Sequence, residues 1–327
     1  MKEIKITEKT YNQRVDKFVR KYLNEAPLSF IYKLFRKKDV KINGHWVKEN
    51  YILQNGDILR IFVTDEQLSE FNKPKSVEDL KITFKIIYED ENILIVNKPK
   101  GLLIHGDETE KRITLSNMVL SYLCKNNEYN PNGEGFTPAP CHRLDRNTSG
   151  LVIYAKNLES SQILMDLFKT HENIHKSYIA LLDGVIDKNG KIEAPLLKDS
   201  STGFVKVSSV DRGAKKAITE YELISHNNKY SLVEANLITG RTHQLRVHFS
   251  YINHPILGDQ KYGNFAENKL FDERFNYHYQ FLHAHKVVFD NVPGRLKYLS
   301  NKWFIADLFS KDINILKELH LNFDKLS

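Results

Sequence analysis

Cysteine is nearly absent: Cys124 and Cys141 are the only two in 327 residues. They form neither a disulfide framework nor a CxxC pair, which excludes the disulfide-rich extracellular class and suits a reducing compartment. No apolar run approaches the roughly 18 residues that span a bilayer. The opening MKEIKITEKT is charged throughout, without the apolar core of a secretion signal. Membrane association is not expected, and the cytoplasm is the expected location. Phosphate-loop glycine spacing is missing, no serine sits in a G-x-S-x-G elbow, and no HExxH-like spacing joins His243, His248, His254, His283 and His285. No metal, no nucleotide cofactor and no other cofactor is therefore expected. Glycine is also scarce, 15 residues where about 7% is usual, so the places where glycines collect carry information.

What is present is an uneven distribution of charge. Residues 1–64 hold 14 of the 48 basic and 7 of the 41 acidic side chains, an excess equal to the whole chain's net charge of +7. A small basic module on a neutral body reads as a nucleic-acid-binding appendage. Within it Val15, Phe18, Val19, Tyr22 and Leu23 have helical spacing, leaving Arg14, Lys17, Arg20 and Lys21 for the outer face. After Pro27, Ser29 is placed to cap a second helix carrying Ile31, Leu34 and Phe35 inward and Lys33, Arg36, Lys37 and Lys38 outward. Asn43-Gly44 marks a hairpin turn. The stretch TDEQLSEFNKPKSVEDL lacks an apolar period and reads as a linker. Beyond it, strands and helices interleave, with Ala217–Ile224 and Tyr230–Leu237 expected as antiparallel partners, an α+β pattern.

Glycines recur beside polar clusters: NKPKGLLIHG at 97–106, HRLDRNTSG at 142–150, TGRTHQLRVH at 239–248 and HPILGDQKYG at 254–263. In HRLDRNTSG, Asp145 lies between Arg143 and Arg146, just before the apolar run LVIYA. A loop ending on a buried strand holds one carboxylate rigidly, and flanking arginines favour its ionised form, as a nucleophile requires. For an isolated Asp-Arg pair a turn with surface ion pairs is the commoner outcome. The second basic cluster makes the pair less isolated. In an extended segment Gln244, Arg246 and His248 share one face, from which a guanidinium can pair with Asp145.

Two resemblances carry the reading further. QRVDKFV, SFIYKLFRKKDVKING and QNGDILRI, between Gln13 and Val63, resemble the S-four RNA-binding domain. That resemblance implies that Lys33, Arg36, Lys37 and Lys41 face RNA phosphates. The HRLD signature, with VNKPKGLLIHG, KSYIALLDG, LITGRTHQLRVH, HPILGDQKYG and FLHAH in order, closely resembles the RluA-like family of pseudouridine synthases from Ile93 to Phe289. Together they imply an α+β pseudouridine synthase fold with a mixed, largely antiparallel sheet at 81–315. A linker at 65–80 and a small α/β RNA-binding domain at 13–64 precede it.

The family resemblance also implies roles. Asp145 is the catalytic aspartate, attacking ribose C1′ or uracil C6; Tyr178 stacks on the target base and assists proton removal; Arg246 pairs with the aspartate; Arg143 fills the space left by the extruded uridine. IHGDE and APLLK look most like the members that act on large-subunit ribosomal RNA. Large-subunit RNA or its assembly particle is thus the expected partner and a monomer the expected state. A synthase acting on transfer RNA is one alternative. Another is a non-catalytic RNA-binding or ribosome-assembly factor on a synthase fold, against which Asp145, Tyr178 and Arg246 speak.

Overall fold

The computed structural model describes residues 1–8, 10–133 and 135–324. The chain divides into two compact units, one of residues 1–80 and 119–138, the other of residues 81–118 and 139–327.

The first unit opens with β1 (Lys2–Lys5), α1 (Val15–Tyr22), α2 (Leu28–Arg36), β2 (Val40–Ile42), β3 (His45–Trp46), β4 (Ile58–Ile61) and α3 (Asp65–Phe71). Its four strands form an antiparallel sheet in the order β1-β4-β2-β3. Val15, Phe18, Val19, Ile31, Leu34 and Phe35 fill the core between helices and sheet, so the helical spacing of these residues is realised. Two expectations differ. Helix α2 begins at Leu28 after Pro27, whose fixed φ suits a helix start, and Ser29 lies inside the first turn without a capping bond. Residues 65–71, within the segment expected as a linker, form α3, which a Thr64–Gln67 capping box starts. Leu68 and Phe71 of this helix pack on the small core, Phe71 with its ring 4.8 Å from that of Phe30.

The second unit is built on β5 (Lys85–Glu89), β6 (Ile93–Lys98), α4 (Leu115–Lys125), β7 (Ala139–Pro140), β8 (Ser149–Ala155), α5 (Leu158–Thr170), β9 (Ile174–Asp183), β10 (Gly190–Glu193), β11 (Leu196–Lys198), β12 (Val205–Val207), β13 (Ile218–His226) and β14 (Tyr230–Leu237). From Val119 onward α4 counts with the first unit. The chain continues through α6 (Gln244–Tyr251), α7 (Phe265–Phe275), β15 (Leu282–Phe289), β16 (Lys302–Ile305) and α8 (Ser310–Glu318). One ten-stranded sheet runs β10-β13-β14-β9-β15-β8-β6-β5, with β16 beside β15 and β7 beside β8. Only the β15–β8 pair is parallel, so the sheet is mixed and largely antiparallel, as expected of the fold, and β13 and β14 are antiparallel partners.

Alternation along β9 sorts the core. Tyr178, Ala180 and Leu182 face Leu245 and Phe249 of α6, whereas Ile179 and Leu181 face the cluster holding Phe271, Ile315 and Leu316 of α7 and α8. The site lies on the α6 side. Gly150, which closes HRLDRNTSG, has φ +113° and sits where a Cβ would come within 2.2 Å of the Ala284 carbonyl oxygen. Only glycine lets β8 approach β15 this closely. Gly150→Ala is expected to cost about 3 kcal/mol or more. Gly203→Ala, with a φ of +66° and nothing within 4 Å, should cost only about 1 kcal/mol of strain. Denaturant midpoints of the two variants check the difference; equal midpoints would contradict the packing argument.

Candidate active site

The loop between β7 and β8 holds Asp145 on three anchors. Lys98, fully buried at the end of β6, donates to the carbonyls of Pro99, Leu102 and Arg146 at 2.8–3.0 Å. Leu144 packs on the core beneath α6. Gln280 donates to the Thr148 hydroxyl. Burial lowers the Lys98 ammonium to about 7, with nearby Asp145 pulling it back up.

The segment expected as a strand at 244–248 is a helix. Leu245 and Val247 alternate as a strand would, but Leu245 and Phe249 are four apart and both enter the core under α6. The helix separates residues that a strand would have aligned. Gln244 and His248, one turn apart, turn to β13 and bond the Thr219 hydroxyl. Arg246, two residues from each and so roughly 200° around the axis, turns the other way. Its Nη1 donates to Asp145 Oδ2 at 2.8 Å, while Nε and Nη2 form a bidentate pair with Asp259 at 2.7 and 2.8 Å. The arginine facing Asp145 is thus Arg246. Flanking Arg146 donates to the Gly101 carbonyl, and Arg143 is exposed at the cleft wall.

Asp259 is the residue that sequence reasoning missed. It is fully buried, and Oδ1 also accepts the backbone N–H groups of Lys261 and Tyr262. Its signal was present in HPILGDQKYG as an acid following a glycine. Gly258 has φ +76°, and a Cβ there would meet the Tyr279 carbonyl oxygen at 2.0 Å. Burial works to raise the Asp259 pKa, but Arg246 and the two amides hold it low. Burial likewise works against the Arg246 charge, and the two carboxylates outweigh it, raising its pKa.

Asp145 Oδ2 is occupied by Arg246, whereas Oδ1 lies 3.8 Å from His243 Nε2. The Tyr262 hydroxyl accepts from the Val205 N–H and lies 2.8 Å from His243 Nδ1. Burial, opposed by Asp145 and reinforced by Arg246 and Lys261, lowers the His243 pKa. Tyr262 also stacks under the Arg246 guanidinium, 5.1 Å from its ring centre.

These groups open on one cleft of about 870 Å³, lined also by Tyr178, Leu103, Ile104 and His105. Tyr178 is nearly buried on β9, and burial, then the Asp145 charge, push its phenol upward. The structure therefore brings Asp145, Arg246, Tyr178 and Arg143 to one cavity. Lys33, Arg36 and Lys37 belong to the first unit, exposed on α2, and Lys41 lies half-buried on β2 with its ammonium 5.1 Å from the Phe62 ring centre.

The other four histidines of the 243–285 region named above are bonded within the fold. His248 bonds the Ala194 carbonyl besides Thr219, His254 the Asp183 carbonyl, His283 Ser149 and the Ala306 carbonyl, and His285 that same carbonyl. No group of three metal-ligating side chains occurs among the described residues. Nor is any helix among them long and apolar enough to cross a membrane.

Residues 92–251 match the family model described as RNA pseudouridylate synthase. The chain is 37% identical over 313 residues to an uncharacterized RNA pseudouridine synthase of Mycoplasma capricolum, covering 92% of this chain and 96% of that protein. It is 35% identical to the ribosomal large subunit pseudouridine synthase C of Buchnera aphidicola, covering 90% of each. It is 34% identical to the ribosomal large subunit pseudouridine synthase D of Borreliella burgdorferi, covering 91% and 92%. The solved human RNA pseudouridylate synthase domain containing 4 superposes with a TM-score of 0.58 at 26% identity, over 73% of this chain and 94% of that one.

Asp259→Asn keeps the shape and removes the charge that fixes Arg246. Turnover is expected to fall about 10²-fold, as a misplacement near 1 Å would cause, with RNA affinity within a few-fold. Single-turnover kinetics over a range of enzyme concentrations separate the two, and a loss confined to affinity would refute the positioning role of Asp259.

Proposed function

The chain belongs to the RluA-like family of RNA pseudouridine synthases, and on that premise we propose that it isomerises uridines of large-subunit ribosomal RNA, with Asp145 as the nucleophile. The observation that carries the residue assignment is the carboxylate of Asp145, bonded through one oxygen to Arg246 with the other open to the cleft. Relatives named as large-subunit synthases, similar over about nine-tenths of the chain, support the choice of RNA.

The physical sequence is as follows. A uridine stacked in RNA hides its glycosidic bond, so it is extruded into the cleft at a cost of about a few kcal/mol, and Arg143 at the cleft wall fills the gap. The free oxygen of Asp145 then adds to ribose C1′ or uracil C6. The C1′–N1 bond breaks, the base turns, C5 bonds to C1′, and the bond to Asp145 breaks with its electron pair returning to the carboxylate. Loss of the C5 proton completes the isomer, while N1 gains one, so atoms balance without an oxidant or reductant. Tyr178 packs against the base and assists removal of the C5 proton.

Affinity comes chiefly from the first unit, which we read as the S-four-like RNA-binding module. Exposed Lys33 and Arg36 on α2 and Lys37 at its end, together with Lys41 on β2, meet phosphates without reading sequence. The reading carries with it a cytoplasmic location, where ribosomal RNA is assembled.

Asp145→Asn is expected to abolish tritium release from 5-labelled uridine while RNA binding stays within a few-fold. Turnover near the wild-type rate would remove Asp145 from the mechanism. Mapping pseudouridine in cells with and without the protein tests the substrate: lost sites in large-subunit RNA support the reading, and losses confined to transfer RNA overturn it. Replacing Lys33, Arg36 and Lys37 by Gln should lower the slope of log affinity against log salt by about 2 to 3; an unchanged slope would show that this helix holds no phosphates.

A further inference from the structure

One wall of the cleft is basic and has no counter-charge. Lys176 lies on β9 two residues before Tyr178, so both side chains leave the same face of the strand and line the cleft. The Lys176 stem is half-buried, and its ammonium sits 5.0 Å from the centre of the Phe168 ring, which also packs on His142. His171, in the left-handed conformation that ends α5, and Arg241, on the turn before α6, line the same wall. Gly240 lets these two elements meet, since a Cβ there would come within 3.0 Å of the His171 ring.

Among the described residues no carboxylate forms an ion pair with His171, Lys176 or Arg241, and the Lys176 ammonium makes no hydrogen bond. Arg241 spends only Nε, on the Lys216 carbonyl. Lys176 in turn lowers the pKa values of His142 and His171, after burial, and Arg241 adds to the effect on His171. His142 moreover keeps a buried Nδ1 without a partner, its Nε2 accepting from the Ile153 N–H. Burial holds the Lys176 ammonium down to about 8. A half-enclosed cation without an anion is costly in the free protein, and an incoming anion removes that cost.

We propose that His171, Lys176 and Arg241 form a subsite for one phosphodiester of the RNA backbone, belonging to a nucleotide next to the uridine drawn into the cleft. The inference rests on the cleft being the uridine site. With the base against Tyr178, the backbone on either side of it passes within reach of a neighbour two residues away on the same strand face. Phosphates are the only anions that RNA brings there. Lys176 supplies a point charge and Arg241 a planar fork, which together suit a phosphate with two free oxygens.

The test uses the full chain carrying Asp145→Asn, so that binding is read without turnover. The ligands are stem-loop RNAs of large-subunit ribosomal sequence that the protein binds, each with a neutral methylphosphonate at one linkage within two nucleotides of a loop uridine. One linkage is expected at which the neutral group weakens binding about tenfold, the size of a charge-assisted hydrogen bond. Adding Lys176→Gln or Arg241→Gln should weaken binding to unmodified RNA by a similar factor and abolish sensitivity at that linkage alone, and Lys176→Arg should restore it. Sensitivity that persists unchanged in both Gln variants, or no sensitive linkage at all, overturns the subsite. Because tritium release by the wild-type protein is measured on the same unmodified RNAs, failure of the uridine reading registers separately as bound RNA that is never isomerised.

Discussion

A single guanidinium shared by two carboxylates organises the catalytic unit. Arg246 carries one positive charge, and Asp259 and Asp145 carry two negative ones, so the trio retains a net negative charge that falls on the more exposed member, Asp145. An arginine spent wholly on Asp145 would bind and quench it. Here the bidentate pair with buried Asp259 takes most of the geometry of the guanidinium, and Asp145 receives one nitrogen and keeps one oxygen free. A buried arginine without Asp259 would have to bear its desolvation with half its partners. The supports of Asp259, two backbone amides and the tight Gly258 turn, therefore belong to the chemistry as much as to the fold.

The same economy recurs around it. Lys98 has no carboxylate in bonding contact and uses its three protons on three carbonyls, tying the NKPKG segment to the Asp145 loop. Tyr262 serves two groups at once, its face under Arg246 and its hydroxyl on His243. Lys100 closes the far side through buried Asp312, which also takes the Tyr277 hydroxyl and so fixes α8. These interactions are charge-assisted and sheltered, which makes them stiff, and stiffness is what the nucleophilic role proposed for Asp145 requires.

Much of this was legible in the sequence, and the exceptions have identifiable causes. Asp145 and Arg246 stand out because polar residues crowd beside glycines in an otherwise glycine-poor chain, Tyr178 only through the family resemblance, and β13 and β14 because their apolar alternation is long. Residues 244–249 misled because Leu245, Val247 and Phe249 satisfy a period of two as well as a step of four; packing against β9, invisible in one segment, decides for the helix. Asp259 was passed over because its partner lies 13 residues away, beyond any local pattern. Helix α3 escaped because it buries none of its residues fully and owes its start to a cap rather than to an apolar stripe. That residues 119–138 count with the first unit could not be read from composition at all.

The place of β15 in the large sheet has a consequence for how the enzyme is born. Asp145 and Lys98 belong to the β5-β6-β8 half, Tyr178 and Arg246 to the half running from β9 to β10, and among the described strands β15 alone is paired to both. Among the described strands only β16 follows it in the chain. A nascent chain therefore carries Asp145 and Tyr178 on two sheet halves that no strand pairing joins until about residue 289 has emerged, and the cleft depends on that long-range pairing step.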